Sequence, residues 1–414
     1  MSDAAQRRAD APTLVASAGE DASDRRVDVG VLVAHAPGTD PDRLESFAHR
    51  ACGDAVAELA SATDVAWRCH MEPASRLADH SRRRPSEFLD RATQRMVEGP
   101  YDLVVVVTDV ALVSSRERVV PGLASPLARV AVVSTRHLRS APRGDPRRSL
   151  DDAAVRWNAA TLLVHLVGHL LGARHGDGGA MEPFDFDPDR RSVPRFDADV
   201  ARDLHRVADE IPADEAEPWG RLGRLAFHAA SAAGNPGRVL RALVDSRAPL
   251  LPLSLPKLST AALAPTLVIV FSAESWDVGF HMGNATAALF AVASVLAAAL
   301  YLLFSQNLSF PRKRHRVVTE HTALVNVTVF LVLVFAMVGL FALVGTVMLV
   351  IELAVFPPNL MSNWPSLEEP TVGVVDLVRT AAFISTVGVL SGALAGGLED
   401  PAIVGHLALF ARRP

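Results

Sequence analysis

His165-Leu166-Val167-Gly168-His169-Leu170-Leu171-Gly172-Ala173-Arg174-His175 is the stretch that organises this chain, with Met181 six residues further on. Two histidines four residues apart lie on one face of a helix, so both imidazoles reach one ion. Gly172 stands where the chain must leave that helix sharply, and glycine tolerates the left-handed backbone such an exit needs. His175 then swings back as a third ligand. Three histidines leave a tetrahedral zinc one open position, the arrangement of a catalytic site rather than a closed structural one. Gly176, Gly178 and Gly179 make a turn, after which Met181 supplies an apolar floor. One zinc ion is expected at His165, His169 and His175.

Upstream of the motif, apolar residues recur with the periods of strands and helices in turn. Residues 27–34, 65–71, 101–108 and 127–134 read as strands, and the run Val104-Val105-Val106-Val107 as one enclosed on both faces. Residues 40–62 and 85–97 read as helices, the first started by Asp40 or Asp42. Residues 149–171 form a long helix ending in the histidines. The expected domain is α/β, a mixed sheet with the active-site helix packed beneath it. Further helices near 197–210, 218–233 and 237–246 close the domain and lead onward.

The runs Tyr101-Asp102-Leu103-Val104-Val105-Val106-Val107-Thr108-Asp109-Val110, Val130-Ala131-Val132-Val133-Ser134-Thr135-Arg136-His137-Leu138 and Gly168-His169-Leu170-Leu171-Gly172 resemble the archaemetzincin family, over about residues 27–200. The resemblance implies a metzincin-like fold and a zinc-peptidase site of pattern H-E-x-x-H-x-x-G-x-x-H. It implies His165, His169 and His175 as ligands and Met181 as the Met-turn methionine. Two departures follow. Leu166 stands in place of the glutamate that takes a proton from water and passes it to the leaving amine. Leucine accepts no proton, and loss of a general base costs ~10²–10⁴-fold in rate. Glu182 and Asp177 are the nearest substitutes in sequence, with Asp185 and Asp187 beyond them. The family's second, four-cysteine zinc site is also missing, because Gly176 follows His175 where a cysteine is expected.

The chain has 414 residues and a net charge of −5, which points away from a nucleic-acid partner. Cys52 and Cys69 are the two cysteines, and they read as free thiols in a reducing compartment. Residues 1–26 are polar and small, without the apolar core of a signal peptide, and read as a disordered tail. Residues 27–200 form the zinc domain and 201–257 a helical connector. From 258 to 414 the composition turns apolar and reads as an all-α transmembrane bundle.

Residues 284–304, 323–351 and 380–398 are each long enough to cross a bilayer; 258–273, with Pro265, is either a fourth span or a re-entrant segment. Glu352 and Asp376 sit at span edges, where snorkelling to the interface is expected. The basic segment Pro311-Arg312-Lys313-Arg314-His315-Arg316 belongs on the cytoplasmic side. The loop 357–370 carries Glu368 and Glu369 and no basic residue, and the tail ends in Arg412 and Arg413. Four spans satisfy all three, making a multi-pass membrane protein with its amino-terminal domain in the cytoplasm. The function expected first is a membrane-tethered, degenerate zinc metallopeptidase. The alternatives are an active peptidase with a relocated carboxylate base, acting on a peptide or protein, and a non-catalytic membrane scaffold or regulatory protein.

Overall fold

The computed structural model describes residues 13–16, 26–99, 101–114, 118–140, 147–209, 215–216, 220–306, 308, 318–355 and 373–396. The chain divides into two compact units, one within 1–238 and 310–325, the other within 239–309 and 326–408.

The first unit is built on a sheet. Its strands are β1 (Thr13–Ala16), β2 (Arg26–His35), β3 (Ala66–Met71), β4 (Ser75–Arg76), β5 (Leu103–Thr108), β8 (Gly122–Ser125) and β9 (Val130–Ser134). The order is β1-β3-β2-β5-β9-β8, with β4 paired to the end of β2. The four central strands are parallel, and β1 and β8 close the two edges antiparallel. A separate short pair joins β6 (Leu112–Val113) to β7 (Val119–Val120). The valine run of β5 is buried on both faces, as a strand between two helical layers must be.

Helix α1 (Pro41–Thr63) starts at Asp40, whose carboxylate accepts the backbone N–H groups of Asp42 and Arg43 at 3.1 and 3.5 Å. One core joins its Leu44, Phe47, Ala48 and Ala51 to Val29, Val31 and Val33 of β2, Val105 and Val107 of β5, and most of the later metal-site helix. The alternate strand residues face the other way, where α2 (Leu89–Glu98) follows a 3-10 turn over Pro85–Phe88. A single turn, α3 (Thr135–Leu138), follows β9, and α4 (Ala153–Leu170) carries the first two histidines.

Two elements differ from the sequence reading. The segment 1–26, expected as a disordered tail, contributes β1, because Thr13-Leu14-Val15-Ala16 pairs with the otherwise open edge of β3. Strand β8 was not anticipated. Gly122-Leu123-Ala124-Ser125 is too short and unalternating to signal a strand, yet it is buried throughout. Both cysteines are buried free thiols.

Beyond β9 the chain forms α5 (Ala198–Asp209), β10 (Glu215–Ala216), α6 (Gly220–Gly234) and α7 (Pro236–Ser246). The later helices are α8 (Pro256–Ile269), α9 (Ala273–His281), α10 (Asn284–Ser305), α11 (Glu320–Val355) and α12 (Val374–Gly396). Just before α11, β11 (Val318–Thr319) pairs antiparallel with β10.

Among the described residues three helices, α10, α11 and α12, are long and apolar enough to cross a membrane, or four spans if the bent pair α8–α9 counts as one. The axes of that pair meet at 92°. The break is stabilised locally, since the Trp276 indole N–H donates to the Val270 carbonyl at 2.7 Å. Gly388, Gly392 and Gly396 open one stripe of α12 to α8. A Cβ at Gly392 would stand 3.0 Å from the Leu258 carbonyl and from the Ala262 side chain. Small residues at four-residue spacing allow this close backbone approach.

Glu352, expected to snorkel, is instead fully buried, and among the described residues neither carboxylate oxygen has a hydrogen-bond partner. It lies in the last turn of α11 but on a covered face, so its side chain is packed inside rather than extended outward. Asp376 pairs with Arg379 one turn along α12. The basic segment 311–316, the loop 357–370 and the tail 411–414 lie outside the described residues.

Candidate metal site

Helix α4 is capped by Asp152, whose carboxylate accepts the Ala154 N–H at 2.9 Å. Most of its length is buried. It ends at Leu171, and Gly172 takes φ +92°, in the left-handed region. The exit is closed by the Gly172 N–H donating to His169 O at 3.0 Å and the Ala173 N–H donating to Gly168 O at 2.9 Å. That reversal returns His175 to the two histidines on the helix.

The three imidazoles converge. His169 Nε2 lies 3.1 Å from His165 Nε2 and 3.2 Å from His175 Nε2. One ligand atom from each ring lies within 4.8 Å of the other two, so the cluster could hold a metal ion. The outer nitrogens decide the chemistry. His165 Nδ1 donates to the Ala180 carbonyl at 3.0 Å, and His169 Nδ1 donates to the Ala173 carbonyl at 2.9 Å. A carbonyl only accepts, so each Nδ1 carries the hydrogen and, in the neutral ring, each Nε2 presents a lone pair. Lone pairs crowded this closely repel unless a cation lies between them. Tetrahedral zinc, with Zn–N near 2.0–2.1 Å, sets its nitrogens about 3.3 Å apart. The two closest separations therefore match zinc, and two of the three rings are held in the ligating tautomer. Burial, with His169 next in effect, pushes the His165 pKa down to about 4, and burial also lowers that of His169. Both rings are neutral at pH 7, the form that binds a metal.

Met181 is buried under the helix, and its Sδ lies 2.5 Å from where a Cβ on Gly168 would stand. Gly168 thus admits the methionine against the helix backbone between the two histidines. The loop that carries Met181 is tied down twice. Gly176 N–H donates to Met181 O at 3.0 Å, and Ala180 N–H donates to Arg195 O at 2.9 Å. Gly179 has φ +67°, and a Cβ there would meet Arg195 O at 2.6 Å.

Leu166 is wholly buried and lies beneath strand β8, its Cδ1 2.8 Å from where a Gly122 Cβ would stand. Burying a leucine this fully is worth ~2 kcal/mol. Asp177, Glu182, Asp185 and Asp187 are exposed, and the metal-competent group contains the three histidines and no carboxylate.

Sequence reasoning missed the partner that anchors the loop. Asn158 on α4 is fully buried; its Nδ2 donates to the Asp187 carbonyl at 2.6 Å and its Oδ1 accepts the Asp187 N–H at 3.0 Å. Its only sequence signal is a lone amide on an otherwise apolar helix, a position whose hydrogen bonds must be met from elsewhere.

No family model and no curated protein matches this chain. Among solved structures it is similar to archaemetzincin from Methanopyrus kandleri, with 23% identity over 43% of this chain and 94% of that one, at a TM-score of 0.33. It is also similar to a zinc-dependent peptidase from Methanocorpusculum labreanum and to archaemetzincin from Archaeoglobus fulgidus complexed with malonate. Each of these shows 20% identity over 42% of this chain and 99% of that one, with a TM-score of 0.28.

Proposed function

We propose that this chain is a membrane-tethered zinc-binding protein with a degenerate metallopeptidase site. The reading rests chiefly on three convergent imidazole nitrogens, two of them held in the ligating tautomer by backbone carbonyls. Zinc held by three histidines keeps a coordination position open and supplies Lewis acidity there. The residues around it provide orientation and no proton acceptor. Leu166 fills its position with hydrocarbon packed under β8, so no carboxylate sits beside the first histidine. The zinc domain on this reading holds a metal, and at most a peptide against it, without turning substrate over at an enzyme's rate.

Metal analysis of the purified full-length protein in detergent is expected to give one zinc per chain. Unfolded peptide is cleaved by Leu166→Glu and not by the native chain. Absence of zinc from the native protein overturns the metal assignment. Native cleavage that Leu166→Glu leaves unchanged overturns the degenerate reading and favours a relocated base such as Glu182 or Asp177.

The same reading places four spans in the bilayer. Pairing of β10 with β11 supports it, because β10 lies six residues beyond the end of α5. Six extended residues reach about 20 Å, short of the ~30 Å hydrocarbon core. Residues 318–319 then share a side with the zinc domain. Since α10 crosses once before them, the chain must also cross once before α10. The bent pair α8–α9 is the segment available, so it is a broken span rather than a re-entrant loop. The arginine-rich connection 311–316 puts that shared side in the cytoplasm. Reporter fusions after Arg316 and after Pro365 are expected to read inside and outside; an inside signal at Pro365 refutes the arrangement.

A further inference from the structure

The face of the sheet turned away from the histidine helix holds a cavity. It encloses about 270 Å³ and is floored by Leu32 and Ala34 of β2, Val106 of β5 and Phe88. Its walls bring together Arg76, Arg83 and Arg91, with Glu87. The topology makes room for it. From the end of β2 the chain turns through α1 to β3 on one side, and from β3 it returns through α2, past β2, to β5 on the other. Where neighbouring parallel strands send their connections opposite ways, a crevice opens beyond their carboxyl ends, and ligands bind there. Leu32 and Ala34 sit in the last four residues of β2, and Val106 in the last three of β5.

The charges in the walls are unbalanced. Glu87 is already spent, since Arg83 Nη1 donates to its Oε2 at 2.9 Å and the Arg84 N–H donates to its Oε1 at 2.8 Å. Arg83 is held in turn by Asp79 at 2.8 Å, and its backbone is fixed by the Ala111 carbonyl at 2.9 Å. Its Nε is buried and has no acceptor among the described residues. Among the described residues, Arg76 and Arg91 make no ion pair, although the charge of Glu72 acts on Arg91 from beyond pairing distance. Two guanidinium groups without an ion pair and one unsatisfied donor, among the described residues, thus border an apolar floor.

We propose that this cavity binds a small organic anion, a carboxylate or phosphate monoester whose apolar body rests on Leu32, Val106 and Phe88 while Arg76 and Arg91 take the charged end. Guanidinium groups pair with both anions through parallel N–H donors. The volume admits a body about the size of one aromatic ring. This site is distinct from the histidine cluster and does not depend on its holding a metal.

Titration calorimetry on the full-length protein tests this with phenyl phosphate, benzoate, inorganic phosphate and neutral benzyl alcohol. A His169→Ala background keeps phosphate from binding at a metal, and the melting transition of each variant checks its folding. Phenyl phosphate or benzoate is expected to bind at least 10-fold more tightly than inorganic phosphate or benzyl alcohol, and whichever of the two is tighter names the head group. Arg76→Gln with Arg91→Gln is expected to weaken that binding at least 10-fold, while Arg82→Gln, an exposed arginine outside the cavity, leaves it unchanged. Equal affinity in the double variant and the native chain, equal loss in Arg82→Gln, or no binding of either aromatic anion at 10 mM, a roughly 2.7 kcal/mol ceiling, overturns the proposal.

Discussion

Helices α4 and α12 are close in composition and opposite in design. Both are apolar and both place glycine on a packed face, although α4 is mostly buried and α12 about half. In α4 the polar side chains have partners: Asn158 and His165 reach the loop that follows, His169 reaches the helix exit, and Thr161 bonds back to Trp157. Among the described residues, Ser385 and Thr386 of α12 bond only to their own helix, and Thr380 Oγ1 is buried with no partner. The glycines diverge in the same way. Gly168 admits one methionine beneath a donor cluster, whereas Gly388, Gly392 and Gly396 admit a whole helix. One helix is a scaffold for chemistry and the other is a packing surface. A buried side chain hydrogen-bonded beyond its own helix, not hydrophobicity, separates the two.

The contrast breaks most visibly at the metal. Replacing His169 by alanine removes the nitrogen shared by both short contacts, and zinc content is expected to fall from about one to near zero. The loss in affinity exceeds the roughly 100-fold typical of losing an outer hydrogen-bond partner. Metal analysis after dialysis reads it. Retention of stoichiometric zinc by His169→Ala means the cluster is not the ligand set. In α12, Gly392→Leu forces a side chain into the Leu258 backbone and is expected to cost about 3 kcal/mol by overpacking. Its signature is a lowered melting transition with zinc content unchanged. If zinc is lost as well, the two helices are not the independent devices described above.

Much of this was legible in advance, and the exceptions share a cause. The spacing His165, His169, Gly172, His175 encodes a helix, its exit and a return, all local geometry, and the structure converges those rings. The valine run of β5 and the caps of α1 are local too. Strand β8 and the β1 pairing are not, because a short strand exists only through its neighbour's edge. The carbonyls of Ala180 and Ala173 carry no sequence signal, since every residue has one. Glu352 was misjudged because hydropathy gives depth along a helix and not which face is covered. Which side of the sheet Arg76, Arg83 and Arg91 would share depends on the crossover from β3 to β5, which no short window contains.

Asn158 sharpens the comparison at smaller scale. Asn158→Ala leaves the Asp187 N–H and carbonyl without their buried partner, at about 2 kcal/mol. Because that loop follows Met181, zinc affinity is expected to fall about 10-fold, the low end for an outer-shell change. Calorimetric unfolding with and without zinc separates the two effects. An unchanged zinc affinity assigns Asn158 to stability alone.

The smallest expected effect concerns the pH dependence of the first unit, which the histidines share with a carboxylate elsewhere in the sheet. Burial pushes the Asp102 pKa up to about 6, although the Asp28 N–H donates to its Oδ2 at 2.9 Å. Its unfolded value is near 3.9. A carboxyl with a raised folded pKa binds its proton more tightly when folded, so it favours folding at low pH. That contribution is complete below about pH 4 and is lost as pH rises through about 6. Asp102→Asn keeps an acceptor for the Asp28 N–H and removes the charge, and is expected to stabilise the chain by about 1–2 kcal/mol at pH 7. His165 and His169 act in the opposite sense, because their lowered pKa values withdraw stability as pH falls. The difference between native and variant stability curves should therefore grow from pH 4 to pH 6 and flatten above. A constant difference across that window would mean Asp102 titrates alike in both states, leaving the pH response of this unit to its imidazoles.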